Sequence, residues 1–309
     1  MEIVNGISFF RQACREPHVL SLGNFDGVHL GHRAILQATV DAAKERGGKS
    51  SVLIFTPHPL QVLAPERFPA LLISMEDRMR LLAAAGIDYA IVHRFTKEFA
   101  AITPEKFAKE ILKGQLDVSG VVVGFDYTFG CYGSGSTEDM QNFGKICQFT
   151  VKVIDPVAVN GEPAGSSRIR TLLLMGRVEE AAEMLGYTFY LRGTVVPGDG
   201  RGRKLGFPTA NVLSSCDVIQ PGHGVYLTRA LVAGRSFWGV TNVGRRPTFC
   251  KGETAVEVYL LDVAGNFYGQ ELTVEFWRKI RDEKTFASST ELVEQISQDV
   301  AGARQWIAT

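Results

Sequence analysis

Residues 22–32 read Leu-Gly-Asn-Phe-Asp-Gly-Val-His-Leu-Gly-His, and this stretch decides how the first half of the chain folds. The apolar run Val19–Leu22 predicts a buried strand, and the polar run Arg33–Arg46 after the stretch predicts a helix. His29 and His32 therefore stand where a strand turns into a helix, and a helix N-terminus attracts anions. Because residues three apart share one helix face, we expect both imidazoles to reach the same phosphate.

The same stretch resembles the His-x-Gly-His signature of the nucleotidylyltransferases, which transfer a nucleotide from ATP and release pyrophosphate. The resemblance implies that His29 and His32 stabilise charge on the ATP phosphates. It also implies ATP contacts for the residues around them, namely Gly23, Phe25, Asp26 and Gly31. One histidine alone would more often cap or pack a helix, whereas two at this spacing favour a phosphate site.

Apolar runs typical of strands alternate with helical patterns through the first half of the chain. After the first strand, these runs are Ser51–Phe55, Tyr89–His93, Gly120–Val123 and Phe149–Ile154. Such alternation predicts a Rossmann-like α/β domain, a parallel sheet with helices on both faces. Ligands bind such sheets at the carboxyl ends of the strands, where residues 22–32 also lie.

Two further strand ends carry residues that fit a ligand site. Pro57 holds a rigid turn that aims His58 at the same sheet edge, although the turn can equally be purely structural. Asp126, Tyr127 and Phe129 offer a carboxylate and aromatic rings for a planar ligand, or simply core aromatics beside a loop. The residues alone leave both alternatives open.

A short helical run follows the last strand of this domain and begins with hydroxyl and basic side chains. These are Ser166, Ser167, Arg168 and Arg170. Alone they would be read as a capped helix with solvated arginines. At the end of a strand in a sheet that carries two histidines at another strand end, they favour a clamp for a triphosphate.

The sequence pattern changes near Gly186, after a predicted helical hairpin. Short alternating runs with frequent Gly, Pro and Asn then predict a small antiparallel barrel or sandwich. We therefore predict two domains, residues 1–186 and 187–309. Apolar residues at helical spacing over Ser289–Ile307 predict an amphipathic C-terminal helix that packs on the barrel.

The second domain contains a Gly-rich basic stretch over residues 198–211. Such a loop can wrap phosphates, or it can be a surface hairpin. The phosphate-binding candidates are Gly198, Gly202, Arg203, Gly206 and Thr209. Thr209 and Asn211 share one face if the segment is extended, and both offer the oxygen ligands that Mg²⁺ prefers. Glu257, inside an apolar strand, either points outward or takes a proton from an attacking hydroxyl.

The totals describe an ordinary globular protein with 45% hydrophobic and 21% charged residues. Lys+Arg 33 balances Asp+Glu 33, so charge gives no reason to expect a nucleic-acid or acidic-membrane partner.

Five scattered cysteines without a Cys-x-x-Cys pair favour a reducing compartment. Since no signal peptide or membrane-length apolar run is present, we predict a cytoplasmic protein. The oligomeric state stays open.

Taken together, the motifs resemble the prokaryotic bifunctional riboflavin kinase/FMN adenylyltransferase family, also called FAD synthetases. The first half resembles the adenylyltransferase module at the strand ends described above. The second half resembles the kinase module at Gly198–Asn211, Asn242–Phe249, Tyr268-Gly269 and Ile280–Phe286. These blocks stand in the order of the family over nearly the whole chain, so their combination is more specific than any one motif.

The resemblance implies a six-stranded kinase barrel that phosphorylates riboflavin to FMN with ATP and Mg²⁺. It implies that the first domain joins AMP from ATP to FMN, giving FAD and pyrophosphate. Asn211 and Thr209 would bind Mg²⁺ and phosphate, and Glu257 would be the general base. Arg281, Glu283 and Phe286 would contact the flavin in the kinase, as would Pro57, His58, Asp126, Tyr127 and Phe129 in the adenylyltransferase.

Two positions depart from the family pattern. Gly165 stands where a further serine of the clamp is usual, and Cys131 stands where a basic residue is common. We still predict both activities. The alternatives are a kinase with a degenerate first half, a flavin-binding regulator without turnover, and an adenylyltransferase for another acceptor. The regulator is disfavoured because Glu257, Asn211 and the histidine pair are all present.

Overall fold

The computed structural model describes residues 1–198, 200–245, 254–263 and 265–308. The chain divides into two compact units, Met1–Ala70 with Met75–Gly165, and Leu71–Ser74 with Ser166–Thr309. The units separate at the start of the helical hairpin, whereas the predicted boundary at residue 186 follows that hairpin. The boundary between the functional domains stays a prediction. Asp199 of the Gly-rich stretch and residues 246–249 of a predicted kinase motif lie outside the described residues.

The first unit is built on a parallel sheet. Its strands are β1 (Glu2–Asn5), β2 (His18–Leu22), β3 (Lys49–Thr56), β4 (Tyr89–Arg94), β5 (Gly120–Gly124) and β6 (Thr150–Ile154). Within the described residues it has six strands in the order β1-β4-β3-β2-β5-β6, and all neighbours are parallel. The predicted α/β fold is confirmed. Strand β1 was not predicted, because only Val4 of its four residues is buried.

Helices cover both faces of this sheet. They are α1 (Ile7–Ala13), α2 (Leu30–Glu45), α3 (Pro59–Leu63), α4 (Met75–Ala84), α5 (Lys97–Ala100), α6 (Pro104–Lys106) and α7 (Thr137–Cys147). The four residues before α4, Leu71–Ser74, are grouped with the second unit. A π-helix, Phe107–Gln115, continues α6, and a two-stranded hairpin pairs β7 (Ala158–Val159) with β8 (Glu162–Pro163). Ala38 and Ala43 of α2 pack on one face of the sheet, whereas Phe10 of α1 and Met140 of α7 pack on the other.

Strand order reverses between β2 and β5, which are neighbours in the sheet although β3 and β4 lie between them along the chain. In open α/β sheets such a switch point opens a crevice at the carboxyl ends of the strands. Residues 22–32 follow β2, and residues 125–130 follow β5. The fold therefore brings two predicted site segments, residues 22–32 and 125–130, to one crevice.

The second unit contains a closed antiparallel barrel. Its strands are β9 (Tyr190–Val196), β10 (Thr209–Ser214), β11 (Gly224–Val232), β12 (Arg235–Arg245), β13 (Thr254–Leu260) and β14 (Glu271–Arg281). Around the barrel, the described strands follow the order β10-β13-β12-β11-β14-β9. The predicted barrel is confirmed. Strand β10 shows that the segment with Thr209 and Asn211 is extended, which the sequence alone left open.

Four helices of the described residues accompany the barrel. They are α8 (Ser166–Leu174), α9 (Val178–Leu185), α10 (Arg201–Lys204) and α11 (Ser289–Ala308). The predicted C-terminal helix is confirmed, since Ala303 of α11 is buried against Val225, Leu227 and Val240 of the barrel. Helix α10 differs from the loop or hairpin that was expected, because the basic part of the Gly-rich stretch forms a helical turn. No helix in the described ranges has both the length and the apolarity to cross a membrane.

Candidate active sites

The turn after β2 has an unusual backbone. Phe25, Gly27 and Val28 have positive φ angles of 50°, 85° and 38°. This region suits glycine, but a β-branched residue such as Val28 is strained there. Backbone strain of this kind clusters at functional sites, where the surrounding structure holds it in place.

His29 is the N-cap of α2, and its side chain organises the start of the helix. Its Nδ1 accepts a hydrogen bond from the His32 backbone N–H at 3.3 Å. The two imidazole rings stack with centroids 3.6 Å apart and an angle of 22° between their planes. Because Nδ1 of His29 is an acceptor, the proton of the neutral ring sits on Nε2, which can donate to a ligand.

His32 is held in its neutral form. Burial lowers its pKa well below the usual value, and the neighbouring His29 and Arg78 lower it further. Its Nδ1 is buried and has no hydrogen-bond partner among the described residues. A neutral imidazole supplies a single N–H donor, so His32 offers a ligand a hydrogen bond rather than a positive charge.

Arg78 is a buried cation that the sequence reading missed. It lies on α4 and forms an ion pair with Asp26 across 3.5 Å, and both side chains are almost fully buried. The contact of Asp26 with Arg78 ties the turn to α4, and ATP binding by Asp26 stays a prediction. The signal was available, because Arg78 stands on the same helix face as buried Leu82.

A cavity of about 260 Å³ opens at the carboxyl ends of β2 to β5. Its aromatic wall residues include Phe55, Phe95, Phe99, Phe107, Tyr127 and Phe129. The Tyr127 and Phe129 rings are nearly parallel, at 11° and with centroids 6.0 Å apart. Gly23 and Asn24 of the histidine-bearing turn complete the wall. The cavity therefore suits a planar apolar ring placed beside the turn that carries the histidines.

Three predicted flavin contacts, Pro57, His58 and Asp126, are absent from the described lining of this cavity. His58 caps α3, where its Nδ1 accepts from the Leu60 N–H at 3.2 Å, and its ring packs against Phe68. Asp126 is exposed. A flavin contact of these residues stays a prediction, and His58 has a structural role of its own.

The predicted triphosphate clamp forms the first turns of α8. Ser167 and Arg168 are exposed, whereas Ser166 and Arg170 are partly buried. The Thr171 hydroxyl donates to the Ser167 carbonyl at 3.1 Å within the helix. This helix belongs to the second unit and the histidines belong to the first, so a joint action of the two stays a prediction.

The barrel unit encloses a larger cavity of about 590 Å³. It gathers eight of the residues predicted for the kinase site, which are Gly198, Gly202, Thr209, Asn211, Glu257, Arg281, Glu283 and Phe286. Arg203 and Gly206, also predicted to bind phosphate, are not in its described lining. They lie on α10 and on the turn that follows it.

Strand register explains how the polar centre of this cavity forms. Glu257 on β13 is paired with Asn211 on β10 and with Asn242 on β12, so the three side chains form a row across three strands. Thr209 is paired with Tyr259 in the same way. Asn211 is only 8% exposed. A carboxylate, two carboxamides and a hydroxyl thus converge on one wall of the cavity.

Gly198 makes room for this polar row. A Cβ atom at Gly198 would lie 2.2 Å from the Asn211 Nδ2 atom, which is closer than atoms can approach. Any side chain here would displace the Asn211 carboxamide. The position is therefore glycine for the space that it leaves beside the site.

Two family models match successive parts of the chain. The model described as FAD synthetase matches residues 11–168, and the model described as riboflavin kinase matches residues 185–307. The chain belongs to the bifunctional riboflavin kinase/FMN adenylyltransferase family. It is therefore an ATP-dependent transferase of flavin cofactor synthesis, with the α/β unit corresponding to the FAD synthetase model and the barrel to the riboflavin kinase model.

Relatives of the same family match almost the full length. The bifunctional riboflavin kinase/FMN adenylyltransferase of Escherichia coli K12 is 38% identical over 99% of this chain and 98% of its own length. The enzyme of the same name from Bacillus subtilis is 38% identical over 91% and 90% of the two chains. A crystal structure named as a macrolide-efflux protein from Streptococcus pneumoniae has a TM-score of 0.89 and 29% identity, covering 99% of this chain and 100% of that one.

Within the kinase cavity of this family member, the sequence reading missed several wall residues. Asn242 and Lys284 lie within the predicted kinase motifs, although no role was predicted for them, and Leu292, Ile296 and Asp299 come from α11. One face of α11 thus lines the cavity at Leu292, Ile296 and Asp299 and packs on the barrel further along, at Ala303. An acidic residue among the apolar positions of an amphipathic helix was the available signal for Asp299.

Proposed function

We propose that the barrel cavity transfers a phosphoryl group from ATP to the 5′-hydroxyl of riboflavin, giving FMN and ADP. The sheet-edge site of the first unit then joins AMP from ATP to FMN, giving FAD and pyrophosphate. The observation that carries the proposal is the convergence of Thr209, Asn211 and Glu257 on one wall of a cavity large enough for substrates. The functional domains are assigned to residues 1–186 and 187–309.

In the kinase, Glu257 takes the proton from the attacking hydroxyl. Its carboxylate stands in the polar row beside Asn211 and Asn242, which fixes the direction from which the hydroxyl approaches. Gly198 and Gly202 line the cavity with accessible backbone, where phosphates can approach closely. Most of the catalysis then comes from positioning and from neutralising charge, as in other phosphoryl transfers.

The Thr209 and Asn211 side chains fit a magnesium ion. Both are neutral oxygen donors on one face of β10, and both line the cavity. Mg²⁺ keeps part of its shell for water and substrate phosphates, so two protein ligands suit it. When bound here, Mg²⁺ would neutralise charge on the phosphates of ATP.

In the adenylyltransferase, the aromatic cavity holds the flavin ring and the turn before α2 binds phosphate. His29 donates from Nε2, and neutral His32 supplies a second donor on the same helix face. Arg78, a buried cation paired with Asp26, is close enough to His32 to lower its pKa. We assign triphosphate binding to Ser166, Ser167, Arg168 and Arg170 from the family motif.

We infer a cytoplasmic location and free small-molecule substrates. The described cysteines Cys14, Cys131, Cys147 and Cys216 are all free thiols, as expected in a reducing compartment. The balanced charge of the chain also supports small substrates over a nucleic-acid partner.

The test is chromatography of flavin products after incubation with riboflavin, ATP and Mg²⁺. The wild type should form FMN and then FAD. The variant Asn211→Ala should form FAD only when it is given FMN, and His29→Ala should stop at FMN. Because His29 also caps α2, His29→Asn serves as the matched control, since asparagine keeps the cap but not the imidazole donor.

Wild-type protein that binds flavin but leaves ATP intact would overturn the proposal in favour of a binding protein. Formation of FMN without FAD would leave a monofunctional kinase. If His29→Asn behaved like wild type, the histidine would act only through the helix cap.

A further inference from the structure

We propose that Asp299 is a positioning residue of the kinase, which holds the Arg281 guanidinium in place for the flavin substrate. The proposal rests on the kinase activity of the barrel described above. It adds a residue of the C-terminal helix to the determinants of riboflavin binding, beside the motif residues Arg281, Glu283 and Phe286.

The contact between the two residues is extensive. Arg281 Nε lies 3.0 Å from both carboxylate oxygens of Asp299, and Nη2 lies 2.8 Å from Oδ2. The Asp299 side chain is 4% exposed and that of Arg281 is 14% exposed. A planar fork bound in this way has little rotational freedom, which distinguishes arginine from a flexible lysine.

The carboxylate is itself fixed from its own helix. Gln295, one turn earlier on α11, donates from Nε2 to Asp299 Oδ1 at 3.0 Å. Leu292, Ile296 and Asp299 line the kinase cavity together and therefore form one face of α11. The arrangement transmits the position of this helix face to the guanidinium.

The guanidinium keeps donors for a ligand. Arg281 Nη1 donates to the Asp282 carbonyl at 3.0 Å, so the bonds to described residues use three of its five N–H groups. The two remaining N–H groups belong to Nη1 and Nη2, and Arg281 lines the cavity. Both can donate hydrogen bonds to oxygen atoms of a bound molecule.

The neighbours of Arg281 favour the flavin over the nucleotide as that molecule. The centre of the Phe286 ring lies 5.8 Å from the Arg281 Cζ atom. Leu292 and Ile296, on the same helix as Asp299, add apolar side chains to the cavity wall. A planar ring with carbonyl oxygens on one edge matches aromatic and apolar walls combined with a fixed fork. The phosphate-binding elements, by contrast, are Gly198 and Thr209.

The chain offers a matched control for this proposal. Arg304 of the same helix makes a two-bond pair with Asp262 of the barrel, at 2.8 and 2.6 Å. That pair is exposed, with side chains 51% and 71% accessible, and neither residue belongs to the described lining of the kinase cavity. Asp262→Asn therefore removes an Arg–Asp anchor of α11 without touching the flavin site.

The experiment measures KM for riboflavin and for ATP in Asp299→Asn, Asp299→Glu, Gln295→Ala and Asp262→Asn. For Asp299→Asn, we expect KM for riboflavin to rise roughly tenfold to a hundredfold, with KM for ATP changed less than about twofold. Asp299→Glu keeps the charge and should recover part of the loss. Asp262→Asn should match the wild type.

FAD formation from FMN by the same preparations reports on the first unit and on protein quality. If Asp299→Asn fails to fold, Gln295→Ala still tests the proposal, with a smaller rise in KM for riboflavin expected. Equal rises in both KM values, or the same change in Asp262→Asn, would overturn it. Wild-type protein that makes no FMN would instead contradict the proposed function, so the two failures are distinguishable.

Discussion

The two sites differ in how their residues are distributed along the chain. The predicted phosphate site of the first unit is one continuous stretch, residues 22–32, and it depends on the backbone of this stretch and on the start of α2. The kinase cavity draws on residues from 197 to 299, and strand register joins them. A site of the first kind depends on local backbone geometry, whereas a site of the second kind depends on side chains that face each other across the barrel.

This difference predicts that single side-chain changes can silence the kinase without affecting the other unit. Glu257→Gln keeps the size of the side chain but removes the proton acceptor. We expect FMN formation to fall roughly 10²- to 10⁴-fold, with FAD formation from FMN unchanged. Product chromatography with riboflavin or FMN as substrate measures both rates. Near-normal FMN formation would remove Glu257 from proton transfer.

The second prediction concerns the stability of the two units at low pH, because the first unit contains His18 and His32, two histidines whose pKa is lowered by burial. His18 is fully buried, with Nδ1 2.7 Å from Ser51 Oγ and Nε2 2.9 Å from the Leu116 carbonyl. Burial lowers its pKa from 6.5 to about 4, and the pKa of His32 is also lowered. Between pH 6.5 and 4 the unfolded chain therefore binds protons that the folded unit does not bind.

The stability of the first unit should accordingly fall as pH drops through this window, with His18 alone accounting for roughly 3 kcal/mol. The barrel holds one histidine, His223, at a partly exposed position, so we expect it to resist longer. Its fluorescence can be followed separately, because Trp238, Trp277 and Trp306 all lie in the second unit. Urea unfolding at pH 7 and 4.5, followed by tryptophan emission and by FAD formation, makes the measurement. Loss of both signals together would contradict the prediction.

The third prediction sharpens the claim that facing side chains define the kinase site. In Gly198→Ala, the new Cβ would occupy the place of the Asn211 carboxamide. We expect FMN formation to fall about tenfold or more, because small misplacements of catalytic groups are costly. Gly302→Ala is the control, since the described residues leave open space at that position. In an Asn211→Ala background Gly198→Ala should have little further effect, and full additivity would argue against the proposed displacement.

What the sequence could predict follows the same division. The stretch around His29 and His32, the α/β alternation and the barrel were predictable, because each depends on neighbours in sequence. The pairing of Asn242 with Glu257 was not, because it needs the strand register. The contact of Arg78 with Asp26 spans 52 residues and joins a helix to a turn, which no local pattern contains.

The contrast between His58 and Asp299 shows a second limit. His58 stood out in the sequence because two prolines frame it, yet it caps α3 and packs on Phe68. No role was predicted for Asp299 within its amphipathic helix, yet it binds Arg281 at the wall of the kinase cavity. Residue type and flanking residues indicate rigidity, whereas the direction of a side chain is decided by packing that the local sequence does not specify.

The smallest expected effect concerns Gly165, where the predicted triphosphate clamp lacks a hydroxyl that the family pattern usually has. A Cβ at this position would meet no described atom within 4 Å, and the residue directly precedes α8, where serine is a better cap than glycine by a few tenths of a kcal/mol. Gly165→Ser should therefore lower KM for ATP in FAD formation by up to about threefold, or about 0.7 kcal/mol, which is the low end of the net contribution of one hydrogen bond. KM for ATP in FMN formation is the internal control and should stay constant. An unchanged KM for ATP in FAD formation, together with a slightly raised melting temperature, would mean that the hydroxyl acts only as a helix cap and that the glycine costs this enzyme no phosphate contact.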